Sequence, residues 1–269
     1  MNGSMDNTGA ASRAVPALEL KNVSKFFGGV HATEDVSLAV EQRAIYGIIG
    51  PNGAGKTTIF NMITGVYVPT EGDILFMGSS IVGKQPFEIA RLGIARTFQN
   101  IRLFQDMSVY TNLHVACQGQ MRYGVAEGIL RMRRYREDET KCAAKCAALL
   151  ERMGLSDIRD MKAGNLPYGL QRRLEIARAL ATEPRVLLLD EPAAGMNDEE
   201  SEEMSRTIRR IRDEFEDITV IVIDHHMDVI MDVCEKISVI NFGRQIACGA
   251  PAEIQDDQEV IDAYLGTGD

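Results

Sequence analysis

Residues 50–58 read Gly50-Pro51-Asn52-Gly53-Ala54-Gly55-Lys56-Thr57-Thr58, a G-x-x-x-x-G-K-T sequence that few backbones can carry. An apolar run, Ala44-Ile45-Tyr46-Gly47-Ile48-Ile49, precedes it, and Ile59, Phe60, Met62 and Ile63 follow with helical spacing. Strand, glycine loop and helix in that order form the setting in which this loop binds phosphate. The glycines let backbone N–H groups turn inward, and the start of the helix adds its positive end. Lys56 is placed to reach the β- and γ-phosphates of a nucleotide, and the Thr57 hydroxyl to ligate Mg²⁺. A chance glycine-rich turn would lack the flanking strand and helix.

The rest of the chain alternates between two kinds of pattern. Up to about Asn100 it reads as short strands (Ala17–Val23, Val36–Val40, Ile45–Ile49, Asp73–Met77, Ile94–Gln99), with helices after the loop and over Phe87–Leu92. From Met107 to Ala163 the pattern is helical. Val109, Asn112, Leu113 and Ala116 mark one face, and Ala143, Ala147, Leu150 and Met153 another. The run Arg131–Glu139 mixes arginines with acids and reads as a solvated helix or loop rather than a nucleic-acid patch. After Gly164 the α/β pattern returns. It has helices over Leu170–Thr182 and Asp198–Phe215, continuous apolar strands over Arg185–Asp190 and Ile218–Ile223, and strands over Lys236–Asn241 and Arg244–Ala247. The fold expected is α/β, with residues 1–16 a loose tail, residues 17–269 one domain, and a helical subdomain over about 100–169.

Leu187-Leu188-Leu189-Asp190-Glu191 supplies the second half of a nucleotide hydrolase. A buried strand ending in Asp190 can hold Mg²⁺ beside the loop, and Glu191 can deprotonate the attacking water. A net charge of −10 argues against wholesale binding to nucleic acid. No apolar run reaches the ~18–20 residues of a membrane span, and no secretory signal opens the chain. The five cysteines, Cys117, Cys142, Cys146, Cys234 and Cys248, lack paired metal spacing. They read as reduced thiols, with Cys142 and Cys146 sharing a helix face for packing.

Taken in order, these motifs resemble the ATP-binding subunits of ATP-binding cassette (ABC) transporters over almost the whole chain. Thr97-Phe98-Gln99 sits where that family has its Q-loop, and the segment from Leu166 to Ala179 where it has its signature. Asp190-Glu191-Pro192 ends the second nucleotide motif, Ala194–Asn197 is similar to the D-loop, and Asp224-His225-His226-Met227 to the switch region. The resemblance implies a P-loop (RecA-like) core, an N-terminal antiparallel β subdomain and an inserted α-helical subdomain. It implies that ATP is held by Phe27, Gly50, Pro51, Asn52, Gly53, Ala54, Gly55, Lys56, Thr57, Thr58 and Gln99, with Phe27 stacked on adenine. Mg²⁺ is then held by Thr57, Gln99 and Asp190, and catalysis carried by Glu191 and His225. The signature Leu166-Pro167-Tyr168-Gly169-Leu170 is expected to act in trans, its Gly169 N–H and following helix covering the γ-phosphate held by a second cassette.

Pro167 and Leu170 depart from the usual Leu-Ser-Gly-Gly-Gln, and Pro167 removes both a hydroxyl and a backbone N–H. The Tyr168-Gly169 pair, Arg96–Phe104, Ala193–Asn197 and the ending Ala263–Gly266 resemble the cassettes of branched-chain amino-acid importers, this chain being similar to the larger of their two cassettes. That implies an ATPase at the cytoplasmic face of a membrane. Its partners would be a second cassette in a homo- or heterodimer, two membrane permease subunits and, indirectly, a substrate-binding protein, with no nucleic acid. Urea uptake and lipopolysaccharide export use similar cassettes. A soluble cassette acting on nucleic acid or ribosomes would carry two fused cassettes or a long coiled coil, and neither pattern is present. A cassette that binds ATP but barely hydrolyses it is the reading Pro167 and Leu170 motivate, and Glu191 opposes it. Ile101, Leu103, Phe104 and Met107 are expected to line the groove that receives a membrane subunit.

Overall fold

The computed structural model of the protein describes residues 14–119 and 133–265. The expected tail over residues 1–13, Arg131 and Met132 of the mixed-charge run, and Gly266 of the closing motif lie outside the described residues.

Two sheets organise the chain. The first is antiparallel, in the order β2-β1-β4-β5, from β1 (Leu18–Phe27), β2 (Val30–Val40), β4 (Glu71–Phe76) and β5 (Ser79–Ser80). β1 runs past the expected Val23 to Phe27, and Gly28-Gly29, with Gly28 at φ 57°, turn the chain into β2. The second sheet runs β10-β9-β3-β8-β7-β6. It uses β3 (Ile45–Ile49), β6 (Ile94–Arg96), β7 (Val186–Asp190), β8 (Thr219–Ile223), β9 (Lys236–Asn241) and β10 (Arg244–Gly249). All neighbours in it are parallel except β9 and β10.

Every residue of β3, β7 and β8 is buried, which is why these strands read as unbroken apolar runs. Their side chains still alternate between two cores. Leu187, Leu189, Val220 and Val222 face the core shared with the helical region, while Val186, Leu188, Ile221 and Ile223 face the core under the antiparallel sheet. Each such side chain contributes about 1.5–3 kcal/mol by leaving water. A one-residue register slip would exchange the two faces.

The helices are α1 (Lys56–Ile63), α2 (Pro86–Leu92), α3 (Val109–Gln118), α4 (Arg133–Arg152), α5 (Tyr168–Leu180), α6 (Asp198–Glu214), α7 (Met227–Val233), α8 (Pro251–Gln255) and α9 (Gln258–Leu265). Ser108 caps α3 by accepting from the Thr111 N–H, and Asn197 with Glu200 forms a capping box at α6. α3 and α4 pack on each other and on α5.

The buried face of α4 differs from expectation. Cys142, Cys146, Leu149 and Leu150 point inward, whereas Ala143 and Ala147 are exposed. The thiols are the larger apolar groups, and their stripe continues through Met153. Leu103 is also buried and Ile101 packs against the same core, so only Phe104 and Met107 of the expected membrane-facing quartet stay on the surface, at 42% and 41% exposure.

Candidate active site

The parallel strands present their carboxyl ends together, and every catalytic candidate sits there. The phosphate loop follows β3, Gln99 follows β6, Asp190 closes β7 and His225 follows β8. Crevices at the carboxyl ends of parallel strands are where α/β sheets bind ligands.

The loop is held by two backbone contacts that leave no room for a side chain. Gly50 has φ 150°, and a Cβ there would lie 1.9 Å from the Ile240 carbonyl oxygen. Gly55, at the start of α1 with φ 106°, would place one 2.4 Å from the Ala32 carbonyl oxygen. β9 and β2 thus clamp the loop from either side. Pro51, Asn52, Gly53, Gly55, Thr57 and Thr58 keep surface to water, whereas Ala54 and Lys56 are buried. Lys56 Nζ donates to the Gly50 and Pro51 carbonyls at 2.7 and 2.9 Å, folding the side chain back over the loop. Burial lowers the Lys56 pKa, and the charges of Glu191 and Asp190 oppose that shift. No acid stands in the first turn of α1, so its positive end is left to the ligand.

Asp190 is buried beside a cation. Its Oδ2 accepts from Arg96 at 2.6 Å, and Arg96 is fixed in turn by Asn61 Oδ1 at 2.7 Å. Glu191 breaks from the strand with φ 48°, a left-handed conformation uncommon outside glycine. Its N–H donates to Ile223 O at 2.7 Å, holding the strained turn against β8. The turn brings the carboxylate to Gln99, whose Nε2 donates to Glu191 Oε2 at 2.7 Å. His225, half exposed, has Nδ1 3.9 Å from the same oxygen, which is proximity without a hydrogen bond.

Two residues outside the expected site tie it together. Asp224 is fully buried; its Oδ1 accepts the N–H groups of His225 and His226 and lies 2.8 Å from His226 Nδ1, while Oδ2 accepts the Ala193 N–H at 3.0 Å. One carboxylate therefore joins the turn after Glu191 to the switch region. Arg172, on α5, is also fully buried. Its guanidinium donates to Phe98 O (2.6 Å), Gln99 O (2.7 Å), Glu175 Oε2 (2.8 Å), Tyr168 Oη (3.2 Å) and Glu191 O (3.4 Å). A single side chain thus ties the signature helix, the Gln99 loop and the catalytic turn. A signal for it lies in the sequence: Arg172 shares a buried stripe of α5 with Ile176 and Leu180, where a charge must have partners.

The signature departs from its usual chemistry in a definite way. Pro167 is the N-cap of α5 and offers no side-chain cap, so the free N–H groups of the first turn begin at Tyr168 and Gly169. Leu166 is buried, Tyr168 is exposed, and Pro167, Gly169 and Leu170 border a shallow cleft with Met196 and Glu200 of the D-loop region. These residues stand apart from the chain's own phosphate loop in sequence and surface. Phe27, 43% exposed at the end of β1, meets Tyr67 edge-on at 5.1 Å and has Lys25 Nζ over its ring at 5.1 Å from the centroid. Burial pushes the hydroxyl of Tyr264, on α9 near the Gly50 backbone, up to about 12. α9 and the loop are the two walls of a second cleft.

A groove of about 500 Å³ lies between α2, β6 and the helical region. Ile89, Phe98, Arg102, Val115, Ala116 and Arg178 are among its walls. Of the segment expected to line such a groove, Ile101, Leu103, Phe104 and Met107 do not line this one, whereas Phe98 and Arg102 beside them in sequence do.

Comparison with known proteins agrees with this geometry. The family described as ABC transporter matches residues 33–194, and that described as branched-chain amino acid ATP-binding cassette transporter matches residues 244–269. The high-affinity branched-chain amino acid transport ATP-binding protein LivG of Salmonella typhimurium is 43% identical over 251 residues, 93% of this chain and 98% of that protein. The lipopolysaccharide export system ATP-binding protein LptB of Escherichia coli is 35% identical over 249 residues, 93% of this chain and 97% of that protein. The crystal structure of an ABC-transporter cassette in its ADP conformation superposes with a TM-score of 0.81 at 30% identity, covering 93% of this chain and 99% of that one. The chain belongs to the ATP-binding cassette ATPases of ABC transporters, in the branch of the branched-chain amino-acid cassettes.

Proposed function

We propose that this chain hydrolyses ATP to drive uptake of branched-chain amino acids through partner membrane subunits. The observation that carries the mechanism is the convergence of Lys56, Asp190, Glu191, Gln99 and His225 on the carboxyl ends of adjacent strands. The loop N–H groups and Lys56 bind the β- and γ-phosphates, and Phe27 offers its ring to the adenine. Glu191 takes the proton of the attacking water, Gln99 orients that carboxylate, and His225 contacts the γ-phosphate. The hydroxyl of Thr57, the carboxylate of Asp190 and the amide oxygen of Gln99 are hard oxygen donors that suit Mg²⁺. Mg²⁺ bound there would neutralise charge on the β- and γ-oxygens.

The signature acts on a second cassette in a head-to-tail pair, through the Tyr168 and Gly169 N–H groups at the start of α5. Arg172 then links occupancy of that helix to the position of Glu191 in the same chain. On this reading the groove bounded by Ile89, Phe98 and Val115 receives an apolar segment of a permease subunit, with the cassette at the cytoplasmic face of the membrane. The functional unit comprises two cassettes, two permeases and an external binding protein, and contains no nucleic acid. We take the helical subdomain to span about residues 100–169, a reading that α3 and α4 support.

The test is purification of the tagged chain in mild detergent, then reconstitution of the recovered complex in vesicles. Recovery of two permeases and ATP-dependent uptake of labelled leucine are expected. Recovery with ribosomes, with nucleic acid, or with a permease that moves lipopolysaccharide overturns the reading.

A further inference from the structure

Three of the five cysteines meet in one place, away from the nucleotide site. Cys117 lies in the last turn of α3, and Cys142 and Cys146 lie one turn apart on the facing side of α4. Their sulfurs all lie within 4.8 Å of one another, and the Cys117 and Cys146 sulfurs are 3.5 Å apart. All three are buried, Cys146 completely. With metal–sulfur bonds of about 2.3 Å, three thiolates around one ion stand about 3.7–4 Å from each other, so only small rotamer adjustments separate this cluster from a coordination site. In the sequence Cys142 and Cys146 read as packing residues, since only the fold brings Cys117 opposite them.

The hydrogen bond with Cys146 lowers the Cys117 thiol to about 6, opposed by burial and aided by the charges of Lys145 and His114. Burial pushes Cys142 up to about 12 and the bond to Cys117 pushes Cys146 up, so the three titrate as one coupled group. Cys142 Sγ lies 3.9 Å from the His114 carbonyl, and the His114 side chain pairs with Glu139 at a partly exposed edge.

We propose that Cys117, Cys142 and Cys146 form a three-thiolate site for a soft cation of low coordination number, the class of Cu(I). Zn²⁺ in a closed structural site takes four ligands, and among the described residues these three sulfurs form the group without a fourth His, Cys or acid. Soft sulfur donors select Cu(I), and the hard cation of the nucleotide site does not compete for them. Binding replaces up to three thiol protons by three metal–sulfur bonds and releases the protons to solvent; nothing is oxidised or reduced. The ion joins α3 to α4, and α3 carries Val115 and Ala116 into the groove between the two lobes.

The experiment is anaerobic titration of the reduced full-length protein with Cu(I) held by bicinchoninate, with X-ray absorption on the product. One equivalent withdrawn from the chelator, three sulfur ligands on copper and a raised thermal midpoint are expected. Cys117→Ser and Cys142→Ala should each weaken withdrawal by at least about tenfold, some 1.4 kcal/mol, while Cys248→Ser, at an exposed lone thiol, leaves it unchanged. ATP binding checks that each variant is folded. Failure of the wild type to withdraw copper overturns the proposal. So does wild-type withdrawal by folded Cys117→Ser, or loss that follows Cys248→Ser instead.

Discussion

The phosphate loop and the signature region do complementary work and are built on opposite plans. The loop is local. Nine consecutive residues supply its N–H groups, its cation and its hydroxyls, and two glycines fit under carbonyls of β9 and β2. The signature region is non-local. Its helix start carries Pro167 and a tyrosine, and its connection to catalysis runs through Arg172, whose partners lie at residues 98, 99, 168, 175 and 191. Chemistry written in consecutive residues tolerates almost no change, whereas chemistry carried by one long buried side chain can move several segments together. The first plan suits a binding site and the second a coupling element.

The largest expected effect lies where the two plans meet, at the turn beside the loop whose Glu191 carbonyl Arg172 holds. Glu191→Gln keeps an amide in reach of Gln99 but removes the proton acceptor, so ATP turnover should fall by about 10²–10⁴-fold while ATP binding persists. A phosphate-release assay with parallel equilibrium binding measures both; equal loss of binding would mean that Glu191 shapes the pocket rather than the chemistry. Next comes Arg172→Met. It fills a similar volume but leaves Glu175 and several carbonyls without their donor, and stability should drop by about 3–5 kcal/mol. Arg172→Lys should rescue it only in part, since an ammonium cannot span these acceptors. Denaturant unfolding of both variants decides this, and unchanged midpoints would mean that the hub does not hold the three segments.

Smaller effects sharpen the same contrast. Phe27→Ala should weaken ATP binding by about 1–3 kcal/mol, the range of aromatic stacking on a base, and should affect GTP alike because stacking is tolerant of base identity. Fluorescent-nucleotide competition reads this directly. Asp224→Asn removes charge from a carboxylate that accepts from Ala193, His225 and His226. It should cost about 1–3 kcal/mol of stability and lower turnover without changing ATP affinity. A variant with normal turnover would separate the switch histidine from the catalytic turn.

What the sequence disclosed follows the same division. The loop, the buried strand ending at Asp190, and helix α2 closed by Gly93 were legible because each is a contiguous pattern with its own punctuation. Gln99 and His225 were legible through resemblance, and the structure places both beside Glu191. Arg172 and Asp224 were missed, since neither has meaning until residues distant in the chain surround it. From sequence the alanines and the cysteines of α4 both read as packing faces, and the choice of the cysteines depends on what stands opposite, here Cys117. The groove was assigned to the segment after Gln99 for a related reason. Leu103 is apolar because it is buried, and the large exposed apolar residues of this groove are Val66, Phe98 and Val115.

The measurement that tests the central claim most directly is a single-turnover experiment with ATP labelled at the γ-phosphate, on wild type and Glu191→Gln side by side. The wild type should convert bound ATP to ADP and labelled phosphate, and the variant should hold the same amount of ATP uncleaved. Cleavage at the wild-type rate by Glu191→Gln would contradict the account, because the residue placed by the strained turn, Gln99 and Arg172 would then not be the base.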